Sequence, residues 1–226
     1  GQPQDYNGWA QRGCTGWSFD DVLPYFRKLE DYDGPASSAR ARGGPLPVSE
    51  VAERPAIAEA FISAAESAGY ERNRDYNGEN QDGFGYYQVN QRRGRRVSAA
   101  AAYLQPALSR PNLSVRTGMH VTRITLEDGR ATGVVAQAGG EAFTFRARRE
   151  VILTAGAAQT PQLMELSGLG DPKVLQPLGI EVAHALPGVG ANYIDHFCTR
   201  MNWRVKLPVT LNEQTRGLKL GLAVTR

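Results

Sequence analysis

The stretch GAAQTPQLMELSGLG, residues 156–170, follows directly on the apolar run Val151-Ile152-Leu153. Three adjacent apolar residues without alternation predict a short strand buried on both faces, as in a parallel sheet with helices on each side. Ala155-Gly156-Ala157 then makes a turn. Thr160 is placed to cap a helix, Pro161 to open it, and Ser167-Gly168 to stop it, with Leu163 and Leu166 toward the core. A glycine after a strand lets the backbone approach a ligand, and a helix N-terminus offers free N–H groups to an anion. The plain alternative is a tight strand-to-helix connection of the kind every α/β protein contains.

Working outward, the downstream half reads as sheet. LSVRT (113–117) and HVTRITLEDGRATGVVAQ (120–137) are β segments, with Asp128-Gly129 as a hairpin turn. AFTFRAR (142–148) alternates, placing Phe143 and Phe145 on one face. The upstream half is mixed. In GWSFDDVLPYFRKLEDYDG (16–34), Ser18 can accept from the N–H of Asp21, the Asp20-Asp21 pair suits a helix N-terminus, and Pro24 predicts a bend with the main helix from Pro24 to about Glu30. RPAIAEAFISAAESAGY (54–70) is the clearest helix: Pro55 fits its first turn, Ile57, Phe61, Ala64, Ala65 and Ala68 share a face, and Gly69 ends it. QDGFGYYQVNQRRGRR (81–96) reads as strand and turn, and SAAAAYLQPAL (98–108) as a short helix.

Bulk properties narrow the class. The chain has 226 residues, 41% hydrophobic and 22% charged, as in ordinary globular proteins. No apolar run approaches the roughly 20 residues that span a bilayer, and the first residues lack the apolar core of a signal peptide. A net charge of +3 is too small to argue for nucleic acid, so RRGRR (92–96) reads first as a solvated turn. Tyr86 and Tyr87 either line a pocket or are sheet residues. Cys14 and Cys198 are the only cysteines and have no metal spacing. A reducing compartment follows, which makes the cytoplasm the expected location. His120, His184 and His196 build no Ser-His-Asp order and no HExxH pattern.

A dinucleotide fingerprint requires three glycines spaced GxGxxG. Gly83-Phe84-Gly85, Gly168-Leu169-Gly170 and Gly188-Val189-Gly190 each lack the third. The residues alone therefore leave a cofactor unidentified.

Residues 156–170 closely resemble a signature of the glucose-methanol-choline (GMC) oxidoreductases. DYNGWAQRGCTGWSFDDVLPYFRKLED, GFGYYQVNQRRGRRVSAAAAYLQPALSRPNLSV, GRATGV and LPGVGANYIDH resemble further family segments, in family order, up to about His196. The choline-dehydrogenase-like branch is nearest in style. The resemblance implies a mixed α/β fold: part of an FAD-binding, Rossmann-like domain with a β-meander, plus part of an antiparallel-sheet substrate domain. It implies a division into a flavin-domain extension or lid (1–44), a substrate-domain part (45–96), a flavin-domain part (97–190) and the start of a second substrate-domain part (191–226).

It further implies FAD as cofactor and oxidation of an alcohol, choline-like or another primary alcohol, by hydride transfer to the flavin. By motif position, Val121 lies against the adenine end, largely through its backbone; Ala155 and Gly156 lie near the adenosine; Asn192, Asp195 and His196 match a segment near the cofactor. Tyr193 stands where the family has a leucine-like residue. For this triplet, a hydrogen-bonded turn after Pro187-Gly188 is the equal alternative. The family's phosphate-binding glycine loop is expected upstream of these segments and its catalytic base beyond Arg226, so no catalytic residue is assigned here. The expected partners are a small alcohol and either the absent segments or a second copy, with neither nucleic acid nor a membrane span. Two alternatives stand: a non-catalytic fragment or scaffold unable to bind FAD alone, and an unrelated α/β binding module.

Overall fold

The computed structural model describes residues 2–210. The chain divides into two units, one of residues 2–113 and 202–210 and one of residues 114–201.

The first unit opens with α1 (Pro3–Gln11) and α2 (Phe19–Leu29). Ser18 caps α2: its Oγ accepts from the Asp21 N–H, while the Asp21 carboxylate accepts from the Ser18 N–H at 3.0 Å and from the Ser18 hydroxyl at 2.5 Å. This reciprocal cap satisfies two N–H groups that a helix start otherwise leaves unpaired. It also corrects the expectation of a main helix beginning at Pro24. The helix begins at Phe19 and runs through Pro24, because the cap organises the first turn and proline removes only one later hydrogen bond.

Next come β1 (Glu30–Tyr32) and β2 (Leu46–Val48), paired in parallel. The α3 helix (Ala56–Ser67) follows Pro55, which stands just before it as N-cap, and Gly69 lies past its end with φ +91°. Its buried residue is Ile62, flanked by half-buried Ala58 and Ala65. The expected face is therefore rotated: Phe61 is largely exposed and meets Phe84 edge-on at 5.8 Å. An exposed hairpin of β3 (Gln91–Arg92) and β4 (Arg95–Arg96) turns at Arg93-Gly94, both with positive φ. Residues 100–104 form a π-helical turn leading into α4 (Gln105–Ala107).

Arg40 ties this unit together. Its side chain is 6% exposed, and it bonds the Glu30 carboxylate and both oxygens of Asp75, at 2.9 and 3.0 Å. The guanidinium carbon lies 4.1 Å above the buried Tyr32 ring. Burial on its own would lower the Arg40 pKa, but the Asp75 hydrogen bond and the charges of Glu30 and Asp75 outweigh it and hold it raised.

The second unit is built on a meander of β5 (His120–Glu127), β6 (Arg130–Ala138) and β7 (Glu141–Arg146), all antiparallel neighbours. Asp128 (φ +50°) and Gly129 (φ +73°) make the first hairpin as the sequence predicts. Ile124 and Ala136 form its buried centre. The α5 helix (Gly156–Leu166) packs against β5. After it come β8 (Leu169–Gly170), α6 (Pro172–Leu175) and β9 (His184–Ala185), the last parallel to β8.

Two expected strands are absent. Residues 113–117 and 151–154 are not strands, since neither has a pairing neighbour among the described residues, and Ile152 is 73% exposed. The expected cap is also displaced: α5 starts at Gly156, so Thr160 and Pro161 lie inside it. Leu163 is half-buried, but Leu166 is exposed.

Replacing Arg40 with methionine leaves two carboxylates facing a site with no cation. Breaking a buried pair in this way is expected to cost about 3–5 kcal/mol, read as a lower urea midpoint with unchanged slope. The Ser18 side-chain and backbone hydrogen bonds hold Asp21 below its ordinary pKa of 3.8. Their stabilisation is complete above that value and is lost as the pH falls through the lowered one. Asp21→Asn is therefore expected to flatten the acid limb of a helical circular-dichroism titration below pH 3.8.

Candidate functional site

The family-implied cofactor residues all fall in the second unit. Val121 lies near the start of β5 and is 37% exposed. The strand register determines where its backbone points. Ile124 sends its N–H away from β6, to Ser167 Oγ at 2.8 Å, so Ile124–Val134 is a non-hydrogen-bonded pair. Its neighbour Val135 therefore faces β5, and its carbonyl accepts from Thr122 Oγ1 at 3.3 Å. A bulge lies between Val121 and Arg123: the pairing steps from Arg123–Val135 to Val121–Ala136. Ala136 faces β7, so the bulge turns the N–H and C=O of Val121 to the outer edge of β5, the edge on which Ile124 meets Ser167.

Ala155 and Gly156 form the start of α5. Gly156 has φ +92°, and a β-carbon built there would have no heavy atom within 4 Å. The backbone is left-handed and faces open space, so a flat ligand could lie directly against it. The other end of α5 is fixed to β5. Ser167, 3% exposed, donates to the Leu163 carbonyl at 2.6 Å while accepting from Ile124. Gly168 follows with φ +81°, and a β-carbon there would come within 2.5 Å of the Glu181 carbonyl oxygen. The helix stop is therefore both conformationally and sterically reserved for glycine.

The third group sits on a loop rooted in the same region. Leu186 donates to the Gly170 carbonyl at 2.8 Å, and a β-carbon on Gly190 would approach Glu165 Oε1 to 2.7 Å. Beyond this root, Asn192 (φ +56°), Asp195 and His196 are exposed. The contact among them is local, with the His196 N–H donating to Asp195 Oδ1 at 2.8 Å. The structure thus joins the elements bearing Val121 and Ala155-Gly156 through Ser167. It attaches the root of the 192–196 segment to α5 and leaves that segment's own side chains outward. Sequence reading took Ser167 only as a helix stop. The available signal was a hydroxyl placed between Leu166 and Gly168, where a side chain must satisfy backbone groups.

Among the described residues, two concavities lie in the first unit. A cleft of about 710 Å³ is lined in part by Tyr6, Phe26, Arg40, Tyr76 and Glu79. A recess of about 290 Å³ is lined by Tyr86 and Tyr87 together with Arg54 and Arg72. The Arg54 guanidinium stands 5.5 Å over the Tyr86 ring, and burial, then the Glu59 charge, raises the Tyr86 pKa. Two arginines of the recess are already engaged: Arg54 with Glu50, and Arg72 with Glu59 and Glu66. The RRGRR segment is an exposed turn, with Arg92 paired to Asp31 at 3.3 Å. Among the described residues no group of His, Cys, Asp and Glu could hold a metal ion. Nor is any helix there long and apolar enough to cross a membrane.

Comparison with known proteins gives this geometry a family. An oxygen-dependent choline dehydrogenase of Brucella anthropi is 42% identical over 211 residues, 93% of this chain and 38% of that protein. Among solved structures, a pyridoxine 4-oxidase from Mesorbium loti matches with TM-score 0.76 and 33% identity, over 83% of this chain and 37% of that one. An FAD-dependent oxidoreductase from Chaetomium thermophilum matches with TM-score 0.77 and 29% identity, over 83% and 35%. The chain thus spans somewhat over a third of the length of these relatives. The model of the GMC oxidoreductase family matches residues 1–198, and the chain belongs to that family.

Proposed function

We propose that this chain supplies the adenosine-binding part of an FAD site in an enzyme that oxidises a primary alcohol, choline-like or similar. The observation that carries the reading is the pair of exposed backbone elements on joined structure: the outward amide of Val121 on β5 and the open, left-handed Gly156 at the head of α5. A donor and an acceptor of one peptide edge suit the edge of an adenine ring, and a glycine without a β-carbon suits close approach of the adenosine. Ala155 orients that turn, and the start of α5 adds N–H groups without partners inside the helix. Asn192, Asp195 and His196 would close on the cofactor from their rooted loop. When bound, FAD supplies the acceptor for hydride from the alcohol carbon.

The same reading assigns residues 1–44 and 97–190 to the flavin domain and 45–96 and 191–226 to the substrate domain. Cytoplasmic action accords with Cys14 and Cys198, both exposed free thiols. One observation favours a narrower role for the chain by itself. The apolar run at 151–153 carries a largely exposed Ile152, which favours a chain that takes up FAD more weakly until further strands cover that run.

Titrating FAD into the chain and following flavin fluorescence tests the reading. Saturable binding is expected, together with competition by AMP. Gly156→Ala puts a β-carbon on a backbone at φ +92° and on the side that is open, and is expected to weaken FAD binding by about tenfold. A wild-type affinity in this variant would remove Gly156 from the site. AMP-insensitive binding would move the flavin elsewhere.

A further inference from the structure

We infer that Ser167 is a positioning residue for the adenosine site, one that sets the height of the Val121 amide relative to the Ala155-Gly156 turn. The inference rests on the FAD reading above and adds to it a residue that need not touch the cofactor.

Ser167 belongs to two elements. Its Oγ donates to the Leu163 carbonyl four residues back, closing the last turn of α5, and accepts from the Ile124 N–H of β5. At 3% exposure it has little water to replace either partner. The contact lies three residues along β5 from Val121, with the bulge between them. A bulge is the place where a strand edge can swing, since its extra residue is not held by a paired neighbour. A fixed point immediately beyond it therefore determines where the outward amide of Val121 stands. Gly168 keeps the serine in place from the other side, because its left-handed backbone packs against the Glu181 carbonyl and Ala183.

Removing the hydroxyl leaves the Ile124 N–H without an acceptor at a buried edge. The edge of β5 is then expected to loosen between Ile124 and Val121, while the paired side toward β6 keeps its ladder. The consequence is specific: the adenosine half of the cofactor should lose affinity and the flavin half should not.

The test compares Ser167→Ala with the unaltered chain for binding of FAD, AMP and FMN. Leu175→Val, at a fully buried position on α6, serves as a control for lost stability without loss of the hydroxyl. Ser167→Ala is expected to weaken FAD and AMP by about five- to tenfold and to leave FMN unchanged. Leu175→Val should lower the thermal midpoint with AMP affinity intact. Ser167→Thr, which retains an oxygen, should recover most of the AMP affinity. Amide hydrogen exchange without ligand should quicken at Ile124 in Ser167→Ala, and not at Val134. If Ser167→Ala binds AMP as tightly as the unaltered chain, the inference is overturned and the FAD reading survives. Equal losses for AMP and FMN, or equal losses in the two buried variants, would also overturn it as a merely structural effect. Failure of the unaltered chain to bind either FAD or AMP would overturn the FAD reading and the inference with it.

Discussion

A single hydroxyl connects the two pieces of backbone on which the proposed site depends. Ser167 Oγ closes the end of α5 through Leu163 and holds the edge of β5 through Ile124. The constraint behind it is general. An N–H at a buried sheet edge must find an acceptor, and a helix end leaves carbonyls in need of donors. One serine answers both, so helix and meander share a fixed point.

The second unit builds outward from that point with little freedom. The two-residue turn at Asp128-Gly129 sets the starting β5–β6 register, an irregularity between Thr125 and Leu126 shifts it by one, and the bulge at Val121 shifts it back. Gly168 allows close approach where a β-carbon would strike the Glu181 carbonyl, and Gly190 takes a left-handed φ of +75° beside the Glu165 carboxylate. These are steric requirements, and they explain why the glycines of this region do not follow a GxGxxG spacing. They serve packing between helix, strand and loop.

What the sequence made legible was local. The Ser18 cap, the Asp128-Gly129 hairpin, the stop at Ser167-Gly168 and the alternation across Phe143 and Phe145 each depend on residues within a few positions of one another, and each was readable. The misread features depend on partners far along the chain. Val151-Ile152-Leu153 has the composition of a buried strand, yet a strand requires neighbours, and none pairs with it among the described residues. On α3, Ile62 is the buried residue, while Phe61 of the expected face stays largely exposed beside Phe84. The second duty of Ser167 was invisible for the same reason: its partner Ile124 lies 43 residues away. Even the family resemblance named positions and left open how β5 and α5 are joined.

The buried guanidinium of the first unit has a consequence for the newborn chain. Arg40 meets Glu30 ten residues away, but its second counter-charge, Asp75, is 35 residues further on. Until synthesis has passed Asp75, a cation flanked by one carboxylate has poor reason to leave water. The pair of helices α1 and α2 can therefore form early from the Ser18 cap. The packing of Arg40 over Tyr32 must wait for a later segment to leave the ribosome, and this sets an order of events in which charge neutralisation, more than apolar collapse, marks when the unit closes.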